Sequence, residues 1–356
     1  MIVKKILSLV ASIIKLFIII LLFTSNSKAE EKNIKYYSED RGILSLMYHR
    51  FDENKYPSTN IKIKNFVEHL DLIKKNQFKF INPNNFEKVL LNQKYEKKIL
   101  LTIDDGFKSF YDNAWPILKR EAIPFILFVN TREVGSSGYM NWAQINEIAK
   151  EEFVHIGNHS FSHGYLVDKE NEEIIYDINR AITDFKNNLG YNSLFFSYPF
   201  GEYSINFKNI IKNFGFKFAF GQHSGVADET KNFYELPRFP INETYGEMNR
   251  FELILKTIPL KVKSITPDEK YISGNKNPPE ITVEFFSDIK NIRSINCYSN
   301  ELNSWKKSEI GYLNDFKIKI KLRGKFTTER GRVNCSLRES DGSWRWLGMQ
   351  FIVAEL

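Results

Sequence analysis

Three polar clusters each close a short apolar run, and that placement limits the folds open to this chain. Asp104-Asp105-Gly106 ends the run 98–103, His159-Ser-Phe-Ser-His163 follows 154–156, and Tyr198-Pro199-Phe200-Gly201 ends 194–198. Short apolar runs bounded by polar residues read as buried strands. Strands are expected at 44–49, 99–103, 125–129, 154–156, 194–198 and 216–220. Helical spacing is expected between them at 63–75, 84–92, 111–120, 141–150, 170–188 and 205–213. Asn141 suits an N-cap, and Gly190 and Gly215 suit C-terminal stops. Alternation of this kind argues for parallel strands joined by crossover helices. In (β/α) barrels the site lies at the C-terminal strand ends, where these clusters fall.

The residue types narrow the chemistry. Side chains alternate across a strand, so adjacent carboxylates face one site only where the backbone turns, and Gly106 permits that turn. Two histidines four apart share one face of a helical turn or a tight loop. Two imidazoles and one carboxylate make a three-ligand site with an open position for water, leaving the second carboxylate for proton transfer. Taken singly, Asp-Asp-Gly is common in turns, and histidine pairs also occur as satisfied polar groups. The glutamate of HExxH is missing, which excludes the zinc-protease reading.

The segment from about residue 44 to 250 resembles the polysaccharide deacetylase (NodB-homology, carbohydrate esterase 4) family. Leu46-Met-Tyr-His-Arg-Phe51 is similar to the opening strand of its YHR-type branch. Leu101-Thr-Ile-Asp-Asp-Gly-Phe107 is similar to its first motif and Gly157-Asn-His-Ser-Phe-Ser-His163 to its second. Phe196-Ser-Tyr-Pro-Phe-Gly201 is similar to the third motif, and Leu236-Pro-Arg-Phe-Pro240 to a late segment of the same branch. Two departures stand out: Ser197 replaces the usual arginine of the third motif, and the late Leu-x-x-His motif has no counterpart.

The resemblance implies a distorted (β/α) barrel of the NodB type and a metal-dependent hydrolase removing N-acetyl groups from an amino-sugar polysaccharide. Asp105, His159 and His163 would bind the metal, with Zn²⁺ first and Co²⁺ or Ni²⁺ open. Asp104 would be the base; chemistry alone leaves the order of the two aspartates undecided. Arg238 would fill the gap at Ser197 and orient Asp104. The Tyr198 N–H would hold the oxyanion, with Pro199 beside it. His223 is the candidate acid and His49 the runner-up at the substrate. Phe200 and Trp142 are candidate walls for a sugar ring, with packing the equal alternative. His155 is expected in the core and His69 at the surface. Two rival functions stay open: an O-acetyl esterase on a glycan such as xylan, and a non-catalytic envelope glycan-binding protein.

Lys4-Lys5, an apolar stretch and Ser27-Lys28-Ala29 predict a signal peptide, or an N-terminal membrane anchor, over 1–29. Export to the periplasm or exterior follows. The chain holds two cysteines, Cys297 and Cys335, expected to pair in an oxidising compartment. The net charge of +7 is scattered without an Arg-rich stripe, which argues against nucleic acid as a partner. The catalytic part is expected over 30–260 and a turn-rich linker over 261–279. A small all-β sandwich-like domain follows at 280–356, open to glycan binding through its tryptophans. Of Trp305, Trp344 and Trp346, at least two are expected to fill its core.

Overall fold

A computed structural model describes residues 41–91, 96–287 and 289–354. The expected leader or anchor over 1–29 lies outside the described residues.

Six strands form a parallel sheet in chain order: β1 (Ile43–Tyr48), β2 (Lys98–Ile103), β3 (Phe125–Val129), β4 (Val154–Asn158), β5 (Phe195–Ser197) and β6 (Phe218–Phe220). Every residue of β1, β2 and β3 is buried, as a parallel sheet covered on both faces requires. The crossovers carry α1 (Ile63–Lys75), α2 (Phe86–Leu90), α3 (Trp115–Arg120), α4 (Trp142–Ala149), α5 (Asn171–Leu189) and α6 (Ile205–Asn213), and α7 (Met248–Leu255) follows the last strand.

The segment between Phe233 and Pro240 joins both edges of this sheet. Ala219 and Gly221 donate to the carbonyls of Phe233 and Leu236, while Phe239–Pro240 pairs with Leu46 and Met47 of β1. The result is a curled sheet closing toward a distorted (β/α) barrel, as expected. Because its strands are parallel, the turns after β1, β2, β4 and β5 open on the same end.

Local chemistry explains several element boundaries. Asn141 and Gln144 form a capping box at α4, and α5 stops at Gly190 with φ +81°. The stretch 111–120 is not one α-helix: Phe110–Ala114 is π-helical and α3 starts at Trp115. Pro116 offers no N–H to the turn before it, which breaks the α-ladder there. His69, expected at the surface, is fully buried. Its ring stacks on Phe251 of α7 at 3.8 Å, and it bonds Tyr48 Oη and the Gly246 carbonyl at 3.2 and 2.7 Å. Helical spacing alone hid this, since α7 covers the face that α1 would otherwise expose.

The C-terminal region adds β7 (Thr257–Pro259), β8 (Val262–Thr266), β9 (Ile281–Phe285), β10 (Asn296–Ser299), β11 (Glu309–Asn314), β12 (Lys317–Lys321), β13 (Arg330–Arg338) and β14 (Trp344–Val353). One sheet runs β7-β14-β13-β10 to Lys306–Lys307, the other β8-β9-β12-β11. Burial alternates along β9 and β13, so one face of each strand is covered. Cys297 and Cys335 face each other across β10 and β13 and are disulfide-bonded.

The stretch 261–279, read from sequence as a linker, holds β8 in one sheet and Tyr271–Ile272 beside β14 in the other. The side chains of β8 are largely exposed, so backbone pairing with β9 defines it and hydropathy does not. β14 also meets the barrel. Leu347 bridges to Gly225, and the Trp346 ring lies 5.8 Å from Phe239. At Gly348 a Cβ would fall 2.2 Å from the Ser224 carbonyl oxygen, so only glycine allows this approach.

Candidate active site

The β2 strand delivers Asp104 and Asp105 where its backbone turns. Asp104 stays in register, its N–H donating to the Tyr48 carbonyl at 2.9 Å. Asp105 takes φ +75° and Gly106 φ +76°, which swings the second carboxylate to the same opening as the first. After β4, His159 to His163 form a tight loop with Ser160 and His163 at positive φ. Asn158 Oδ1 accepts from Ser160 N–H, and Ser160 Oγ accepts from His163 N–H. Asp177 of α5 accepts the N–H groups of Phe161 and Ser162 at 2.8 and 3.1 Å. That loop support was missed from sequence. Its signal is a buried aspartate in the apolar stripe Ile174, Ile178, Ala181, Ile182, Phe185.

These two turns bring Asp105, His159 and His163 together. Asp105 Oδ1 lies 3.3 Å from His159 Nε2 and 3.2 Å from His163 Nε2, and one ligand atom of each falls within 4.8 Å of the others. Asp105 Oδ1 and His159 Nε2 are buried without a hydrogen-bond partner. His159 Nδ1–H donates to the Ser197 carbonyl at 2.6 Å, which leaves the Nε2 lone pair facing the carboxylate. Two imidazole nitrogens, a carboxylate and orphaned buried acceptors fit a divalent cation of the zinc type.

Asp104 is fully buried beside this cluster. Arg238, from the segment that closes the sheet, grips it with two bonds, Nη1 to Oδ1 at 2.7 Å and Nη2 to Oδ2 at 2.9 Å. Ser197 accepts from Arg238 Nη2 and donates to Asp104 Oδ2. Burial alone would raise the Asp104 carboxyl; Arg238, His159 and His49 together bring it below its ordinary value. Asp104 Oδ2 is 3.9 Å from His159 Nε2, outside the cluster but adjacent to it.

Other sequence-based expectations fare differently. The Tyr198 N–H is taken by the Phe220 carbonyl at 3.1 Å, and the Tyr198 hydroxyl by the Tyr234 carbonyl. It is therefore not free for an oxyanion, because strand pairing with β6 extends one residue past β5. Pro199 has no N–H. Phe200, at φ +59° in the following 3₁₀ turn, carries the next amide, which has no acceptor within so short a turn. The Phe200 ring is half-buried, 4.6 Å from His163 and stacked at 4.4 Å on exposed Tyr165. Trp142 packs edge-on against Phe185 at the margin of the main core.

His223 does not join the carboxylates. It lies at the seam with the C-terminal sheet beside Tyr203, where burial, then Lys270 and Lys231, push it down to about 3. The bend after β6 carries it there. His49 follows β1 next to Asp104, since Tyr48 pairs with Ile103. Burial lowers its imidazole while Asp105 and Asp104 raise it, with a net downward shift. His155 is half-buried near Asn84 and Ser193. A further wall went unread in the sequence: Arg50 stacks on Phe107 at 3.4 Å, and the Phe107 ring lies 4.9 Å from Tyr139.

Residues 92–219 match the family model described as polysaccharide deacetylase. Over 261 residues the chain is 26% identical to the poly-beta-1,6-N-acetyl-D-glucosamine N-deacetylase of Staphylococcus epidermidis, covering 65% of this chain and 88% of that one. The Staphylococcus aureus protein of the same name is 24% identical over 253 residues, covering 63% and 85%. Among solved structures, IcaB from Ammonifex degensii superposes with a TM-score of 0.55 at 25% identity, over 60% of this chain and 97% of that one. The Streptococcus pyogenes deacetylase PplD, at 22% identity and a TM-score of 0.53, shares the fold over 57% and 93%.

Proposed function

The chain belongs to the polysaccharide deacetylase family, and from that premise we propose that it hydrolyses N-acetyl groups on an exported amino-sugar polysaccharide with the help of a divalent metal. One observation carries the reading: Asp105, His159 and His163 converge with orphaned ligand atoms, while Asp104 stays beside them, held by Arg238. A bound ion, Zn²⁺ first and Co²⁺ or Ni²⁺ next, would supply Lewis-acid polarisation of the acetyl carbonyl and activation of water.

The chain's own groups do the rest. Asp104 takes a proton from the attacking water, its carboxylate kept ionised and aimed by Arg238. The Phe200 N–H is the backbone donor that would meet the developing oxyanion. His49, next to Asp104, would relay the proton that Asp104 has gained to the leaving amine, which restores the Asp104 carboxylate. Phe200 and Tyr165 form an aromatic wall for the sugar. The names of the staphylococcal relatives support an N-acetylglucosamine polymer as substrate. Export is supported by the Lys4–Ala29 sequence pattern and the Cys297–Cys335 disulfide.

The test is acetate release by the purified protein from N-acetylglucosamine oligomers, before and after chelation and with Zn²⁺ restored. Release should vanish with the metal and return with it. Metal-independent release overturns the mechanism, and release from acetylxylan alone would make the protein an O-acetyl esterase.

A further inference from the structure

Between the barrel and the C-terminal sheet lies a cavity of about 340 Å³, lined among others by Tyr245, Arg250, Tyr298, Trp305, Arg332 and Trp346. Tyr298 and Trp305 are 45% and 46% exposed, flat apolar faces at the mouth of a polar space. The Arg250 guanidinium lies 4.7 Å over the Tyr245 ring and donates to the Tyr245 carbonyl. Arg332 donates to Gln350 Oε1 at 3.4 Å.

Charge is unbalanced there. No aspartate or glutamate is among the lining residues, and among the described residues neither arginine forms an ion pair. Glu202 acts on Arg332 from a distance but is bonded to Arg330 at 2.7 Å. Burial lowers the pKa of both arginines. Two further lining residues, Trp346 and His223, hold buried ring nitrogens without a partner. Half-buried cations and a spare donor such as Trp346 Nε1–H are costly unless an acceptor meets them.

We propose that this cavity is a second glycan subsite, taking an acidic sugar unit whose carboxylate or phosphate is gripped by Arg250 and Arg332 while its ring stacks on Trp305 and Tyr298. Gln350 links it to the active site, since its Nε2 donates to the carbonyls of Phe200 and Gly201 at 3.5 and 3.3 Å. Gln222 also lines the cavity and packs against Gly201. Through these two side chains the cavity adjoins the Phe200–Gly201 turn, so a polymer strand held at that turn would reach it. The substrate is then a heteropolymer with acidic units spaced along its amino sugars. That continuation rests on the deacetylase reading; binding in the cavity does not.

Calorimetry on the full protein tests it with two oligosaccharides of equal length, one of N-acetylglucosamine alone and one alternating N-acetylglucosamine with glucuronate. The acidic one should bind roughly tenfold more tightly, with the gain lost at high salt. Arg250→Gln with Arg332→Gln should abolish the preference, and Trp305→Ala, at an exposed ring, should weaken the acidic ligand without a folding burden. Free glucuronate and glucose 6-phosphate as probes separate carboxylate from phosphate; binding of either supports the subsite. Equal affinity for the two oligosaccharides, or a preference that survives the arginine changes, overturns it. Acetate release from neither oligosaccharide would instead sink the deacetylase reading and leave the binding result standing.

Discussion

At the scale of single residues, the Arg238–Asp104 pair is the most exposed to test. Both side chains are fully buried and the contact is bidentate. Arg238→Gln strands a carboxylate in the interior, so it should cost about 3–5 kcal/mol of stability. It should also lift the Asp104 pKa and lower kcat; urea titration and acetate release check the two effects separately. The proton donor is a second test. His49→Asn should lower kcat by about 10²–10⁴, whereas His223→Asn should leave kcat within a few-fold; the reverse ranking, read from steady-state kinetics, would move the acid to the seam. Much of this site was legible in the sequence. Asp104, Asp105, His159 and His163 sit in short, rigid turns after strands, where local spacing governs what faces the opening. His223 misled because its neighbourhood is set by the bend after β6 and by β14, more than a hundred residues later. Likewise the Tyr198 amide is committed to the Phe220 carbonyl by strand pairing, which local sequence does not encode.

At the scale of elements, α1 carries a titratable group that the fold keeps neutral. Burial lowers His69 from 6.5 to about 4, against a smaller upward effect of the Gly246 carbonyl. The unfolded chain therefore binds the extra proton first. Stability is fully present above pH 6.5 and declines as pH falls from there toward 4, by up to about 3 kcal/mol from this group. Thermal melts from pH 7 to 4.5 should show that fall, with a shallower slope in His69→Gln; an unchanged slope would assign the acid sensitivity elsewhere. The same helix shows where periodicity stops informing. Spacing located α1 at Ile63–Lys75, yet the partner of its His69 face, α7, was not visible as a helix in the sequence. In α5 the aspartate that braces the histidine loop stands on the buried stripe, and its role becomes evident only once that loop is folded over it.

At the scale of the whole molecule, the barrel and the C-terminal sheets are stitched by a few long-range bonds. The Cys297–Cys335 bridge closes 38 residues, so replacing both cysteines with alanine should cost about 4 kcal/mol in the chain-entropy account. Thermal melts under oxidising and reducing conditions check it, and an unchanged midpoint would count against that account. The parallel sheet was readable because its buried strands are near-continuous apolar runs. The exposed strand β8 and the short strand β7 were not, since backbone pairing with distant partners, rather than side-chain pattern, defines them.

Strand β14 pairs with β7, β13 and Tyr271–Ile272, and touches the barrel at Gly225 and Ser224. These partners are all made earlier than β14 itself during synthesis. A ribosome that stalls before residue 344 releases a polypeptide in which β7 and Tyr271–Ile272 have no strand to pair with and β13 keeps only β10. Closure of the seam therefore waits on residues 344–353.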